Sequence, residues 1–186
     1  LRLARARQVL VVTVLHAAVS FAVITFVPAY LHERFGLSLR AAAAVVVLYG
    51  VGGLAYAWLA SAALERRGPA WLVRVAGTLL AAAYLGLALL PSWHGAVAVC
   101  LLAGLAYYAM QNLLNMAATT MAEAALRGTA VSLFAGALFS GIALGVALGA
   151  AAIARAGYGP VFVGCGAAML VLSLVWGRRL ARHAPA

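Results

Sequence analysis

The 186-residue chain (19.1 kDa) is 67% apolar and 9% charged, with a mean hydropathy of +1.08. A soluble domain is about half apolar and about one quarter charged; this chain has too few polar residues to cover an outer surface, and the same figures exclude disorder, collagen and coiled coil. Its 13 basic residues, all arginine, oppose only Glu33, Glu65 and Glu123, for a net charge of +10. They fall between apolar runs, so they read as membrane-topology signals and not as a nucleic-acid surface.

A spanning helix takes about 20 apolar residues. The chain opens on a basic stretch, residues 1–8, with Arg2, Arg5 and Arg7. The first run, Val9–Leu31, is too long for the core of a signal peptide, which is about 7–15 residues. Within it Thr13, His16 and Ser20 share one helical face, and Pro28 offers a place to bend. His16 is the histidine inside a span, a residue type able to exchange protons near neutral pH. The second run, Ala41–Leu64, holds small residues Gly50, Gly53 and Ala57 at packing spacing, and Gly52 as a possible bend.

The third run, Trp71–Leu90, is nearly featureless, and Arg74 near its start can snorkel to the interface. The fourth, Ala96–Met116, is the richest. Gly104, Tyr108, Gln111, Asn112, Asn115 and Thr119 fall within an arc of about 100°, a polar stripe about four turns long that suits the wall of an aqueous, ligand-lined cavity. Polar residues in a span are costly and so are functional candidates by default; the alternative use of this stripe is interhelical hydrogen bonding.

In the fifth run, Thr129–Ala154, Gly141, Gly145 and Gly149 form one close-approach stripe, and Ser132, Gly136 and Ser140 form another nearly opposite, so this helix is expected to be sandwiched between neighbours. The sixth run is Pro160–Trp176. The whole six-helix bundle, residues 9–177, is followed by a basic tail, 178–186. Trp71, Trp93 and Trp176 fall where interfacial anchors belong. The runs are too long for barrel strands and do not alternate.

Six spans place both termini on one side. With the termini inside, ten arginines lie within and only Arg34, Arg40 and Arg155 outside, so the ends are expected to be cytoplasmic. No enzyme site is expected. There is no Gly-x-Ser-Gly serine with a histidine on another late span, no His-Glu-x-x-His, no pair of neighbouring acids, and Cys100 and Cys165 lack any metal or disulfide motif. No metal and no cofactor is expected. Water-channel and potassium-filter sequences are missing as well.

The loop after the second run, Ser61-Ala62-Ala63-Leu64-Glu65-Arg66-Arg67-Gly68-Pro69-Ala70, resembles the G-x-x-x-D-[RK]-x-G-[RK]-[RK] motif of the major facilitator superfamily. Arg66 and Gly68 match and Glu65 matches in charge; Ser61 replaces the leading glycine, and Pro69-Ala70 replace the basic pair. Arg127 to Leu133 is similar to the entry of the family's eleventh helix, and Gly141-x-x-x-Gly145-Val146-Ala147-Leu148-Gly149 is similar to its glycine-rich motif. Valine where the fifth-helix motif has proline, and no buried arginine in the fourth span, point to helices seven to twelve of such a protein.

The resemblance implies that the first and fourth spans line a central cavity, the second and fifth face the other half, and the third and sixth support the bundle. It also implies that Glu65 and Arg66 belong to an inner gate. The expected protein is therefore an all-α membrane protein, the C-terminal half of a secondary transporter of a small organic solute working by alternating access. It would require its own N-terminal half or a second copy in the bilayer. Efflux is favoured because no charge lies on the cavity face; neutral-solute or sugar uptake and a six-span structural or regulatory module without transport are the alternatives. His16, Ser20, Tyr108, Gln111, Asn112 and Asn115 are the candidate cavity residues, with a proton as candidate coupling ion and a bacterial inner membrane as the expected location. The basic opening without methionine and the tail-like end are what a C-terminal fragment would show.

Overall fold

The computed structural model describes residues 2–120, 123 and 126–182; the side chains of residues 2–5, 59–66, 181 and 182 lie outside that description. Seven helices follow one another: α1 (Arg2–Ile24), α2 (Val27–Phe35), α3 (Leu39–Arg67), α4 (Pro69–Ala88), α5 (His94–Thr120), α6 (Arg127–Ala156) and α7 (Tyr158–Arg182). Since α1 and α2 form one broken span, six segments are long and apolar enough to cross a membrane. There is no strand among the described residues. The helices run beyond the apolar runs at most ends, because a helix continues into the interface while its polar residues find water.

The break between α1 and α2 follows from Pro28. Proline has no N–H to give to the carbonyl four residues back; the chain tightens instead, Phe26 N–H bonding to Val23 O at 3.0 Å, and α2 restarts with the Tyr30 N–H on Phe26 O at 2.9 Å. Gly36 then ends α2 at φ 68°, a left-handed position that costs glycine nothing.

The end of α4 is closed by α2. The Leu87 carbonyl would ordinarily accept from residue 91, which is a proline without an N–H, and so it is an orphan acceptor. The Tyr30 hydroxyl donates to it at 2.7 Å, and the Arg34 guanidinium donates to the Leu90 carbonyl at 3.2 Å. Tyr30 packs edge-on against Phe162 of α7, with ring centroids 5.2 Å apart, and Tyr158 donates to Glu33 at 2.8 Å. The C-terminal end of the first span is thereby clasped to α4 and α7.

Lipid gives helices no hydrophobic reason to associate, so close backbone approach decides the pairing. Helix α1 packs on α6, α3 on α5, and α4 on both α5 and α7. A Cβ on Gly145 would collide with Ala18 backbone, and one on Gly141 would lie 2.8 Å from the Ala17 Cβ. The Gly141–Gly145–Gly149 stripe is therefore the seat of α1. The opposite stripe differs from expectation: Ser132, Gly136 and Ser140 are exposed, with open space at Gly136. Among the described residues α6 is covered on one side only.

On α3 the contact with α5 runs through Gly52 and Gly53, one against the Leu101 backbone and the other under the Tyr108 ring, while Gly50 meets nothing. Gly52, read as a bend, is thus a contact point in a continuous helix. Trp176, read as an interfacial anchor, is 2% exposed and packs with Val9, Leu72, Val73 and Leu114, because it lies on the inward side of α7.

Candidate functional site

Helix α5 turns a continuous apolar side (Ala103, Ala106, Met110, Leu113, Leu114) into the bundle. Its other side carries Tyr108, Asn112 and Asn115 out of the packed interior, with Tyr108 42% exposed. The 3.6-residue period makes this division: positions 108, 112 and 115 repeat at one turn.

These residues wall a cavity of about 490 Å³ together with Gln111 on α5, Gly53, Tyr56 and Ala57 on α3, and Phe134 on α6. It lies toward the end of the bundle that holds both termini, since Asn115 is five residues from the end of α5. Asn112 donates from Nδ2 to the Tyr56 hydroxyl at 3.1 Å, and its carbonyl oxygen can still act as an acceptor. The Gln111 Oε1 is buried and has no hydrogen-bond partner among the described residues. A buried amide oxygen without a donor is costly. Among the described residues no acidic or basic side chain lines the cavity.

Four of the six residues expected on the cavity face, Tyr108, Gln111, Asn112 and Asn115, are brought together here. His16 and Ser20 are elsewhere. Both are fully buried, on the side of α1 that turns toward α4 and α5, and His16 stacks on Tyr107 with ring centroids 5.0 Å apart. The reason is packing: α1 must set Val14, Ala17 and Ala18 against the α6 glycines, and its exposed side then carries Val11 and Leu15.

Sequence reasoning missed Tyr56 and Phe134. The signal for Tyr56 was present, since Tyr49, Gly53 and Tyr56 recur at i, i+4 and i+7 on the α3 face toward α5. Nothing local marks Phe134. Of the expected inner-gate residues, the side chains of Ser61, Glu65 and Arg66 lie outside the described residues. Gly68 is described, at φ 74° immediately before Pro69, where the chain reverses from α3 into α4.

A bundle of six apolar spanning helices, with a polar cavity set among uncharged amides and aromatic rings, defines an integral multi-pass membrane protein of the solute-handling class. The model of the Major Facilitator Superfamily matches residues 9–186. The chain belongs to that superfamily, whose members are transporters rather than enzymes. No curated protein matches the sequence.

Proposed function

We propose that this chain is the C-terminal six-helix half of a secondary carrier that moves a small uncharged organic solute by alternating access, with efflux the favoured direction. One observation supports it above the others: the α5 polar stripe opens into a cavity whose described lining offers hydrogen bonds and aromatic rings but no fixed charge. A charged solute would lose its hydration there without an opposite charge from this half. The Asn112 carbonyl accepts from the solute, the amides of Gln111 and Asn115 are the further polar groups of the wall, and Tyr108 and Phe134 cover its apolar part.

One half is a wall and not a gated chamber, so the partner is the N-terminal half of the same transporter or a second copy. The outward sides of α3 and α6, with Val47, Leu54, Trp58, Phe139 and Leu148 exposed, fit that role. In this reading Glu65, Arg66 and Gly68 belong to the inner gate of a carrier in a bacterial plasma membrane, and the ten-to-three arginine distribution supports cytoplasmic termini. Any proton coupling by His16 acts from behind Tyr107 and not at the solute.

Uptake by vesicles bearing the full-length protein tests this with tritiated glucose and uridine as neutral probes and tetraphenylphosphonium as the cation. A neutral probe should move, and its transport should fall roughly tenfold or more when Gln111→Leu and Asn115→Leu remove two hydrogen bonds. Selective movement of the cation, undiminished in that double variant, contradicts the proposal.

A further inference from the structure

A second polar centre lies apart from the cavity, in the interior of the bundle. His16 is seven residues into the Val9–Leu31 run, about 10 Å at the helical rise, and Ser20 is eleven, about 16 Å, which is close to the midplane of a hydrocarbon layer about 30 Å thick. His16 is fully buried, and neither Nδ1 nor Nε2 has a hydrogen-bond partner among the described residues. Ser20, one turn further along the same face, is also fully buried with its Oγ unpartnered; so are the hydroxyls of Tyr84 on α4 and Tyr49 on α3. The Tyr107 ring joins them: it stacks on His16 at 5.0 Å and tilts against Tyr49 at 5.5 Å, and the Ser20 side chain neighbours that of Tyr84.

By contrast, Thr13 on the same face of α1 satisfies itself by donating to the Val9 carbonyl at 2.8 Å, and buried Tyr30 donates to Leu87. Five polar atoms from three helices are therefore left without a protein partner among the described residues, around the Tyr107 ring, in a region that lipid cannot satisfy. Each such group costs about 1–3 kcal/mol if left bare, and buried polar groups in membrane interiors are paired with protein or water.

We propose that His16, Ser20, Tyr49 and Tyr84 form a binding site for internal water, a hydrated node at mid-membrane that ties α1 to α3 and α4 behind the wall of the solute cavity. A buried water makes about three hydrogen bonds, so about two waters would satisfy all five atoms. A hydroxyl-and-imidazole set without a carboxylate or a carbonyl suits water and not a metal cation. The proposal stands independently of the solute reading, since it needs only the buried groups of this fold.

Millisecond X-ray radiolysis of the full-length protein in nanodiscs, in ¹⁸O-water, tests it, because hydroxyl radicals made from a bound water oxidise the side chains beside it. Tyr84 and His16 should be oxidised and carry ¹⁸O although they are buried, while Tyr30, equally buried but satisfied by a carbonyl, should not. Tyr84→Phe should lower labelling at His16 several-fold and leave exposed Tyr108 unchanged. Labelling of Tyr108 with His16 and Tyr84 as silent as Tyr30 overturns the proposal. Detergent stability gives a second readout. Combining Ser20→Ala, Tyr49→Phe and Tyr84→Phe destabilises a hydrated node; a gain in stability means the cluster is dry and overturns it as well.

Discussion

Replacing Gly104 by alanine probes the contact that holds the α5 wall in place. A Cβ at this position would overlap the Tyr49 carbonyl oxygen and stand 2.7 Å from its carbon, where ordinary contact begins near 3.4 Å. Both atoms belong to helical backbone, so no side chain can swing aside. Helices α3 and α5 must separate by about 0.7 Å or more, and a gap of that size forfeits a quarter to a half of each contact's dispersion energy along the seam. We expect a loss of about 2–3 kcal/mol, the upper part of the range for over-packed interiors. Gly50→Ala on α3 is the matched control: it meets nothing within 4 Å and gains helix propensity of up to about 1 kcal/mol. Unfolding titrated with SDS in mixed micelles, followed by helix circular dichroism, compares the two. If Gly104→Ala is as stable as Gly50→Ala, the close α3–α5 approach is wrong.

Two further substitutions test the clasp at the C-terminal end of the first span. Tyr30→Phe removes the donor to a buried Leu87 carbonyl that Pro91 cannot serve, and should cost about 1–3 kcal/mol in the same titration. Glu33→Gln alters the exposed contact with Tyr158 and should change stability by less than about 1 kcal/mol, because solvent competes for both partners; a loss as large as that of Tyr30→Phe would assign the clasp to the wrong pair.

The six spans were legible in the sequence because the bilayer imposes one length and one composition on them, and the α5 stripe was legible because helical period alone decides which residues share a face. Direction was not. Thr13, His16 and Ser20 do share a face of α1, but period cannot say which neighbour that face meets; the fit of Val14 and Ala18 into the α6 glycines turns it inward, away from the cavity. Gly50 and Gly52 are equivalent in composition, and only the register of α3 against Leu101 distinguishes contact from open space. Trp176 is buried for a similar reason, since its place near a helix end says nothing of its side. The exposed Ser132–Gly136–Ser140 stripe lacks a neighbour in this chain, and the family's two-half architecture provides a surface for it only under the proposed function.

The solute-lined cavity is the central proposal, and cysteine accessibility tests it most directly. In full-length protein with Cys100→Ala and Cys165→Ala, single cysteines would replace Asn112, Asn115 and, as a buried control, Leu114. A membrane-impermeant thiol reagent applied to sealed vesicles should label positions 112 and 115 from one side and spare 114. Protection of 112 and 115 from both sides in every condition, with only the packed seam of a structural bundle left to explain the polar stripe, would contradict the account.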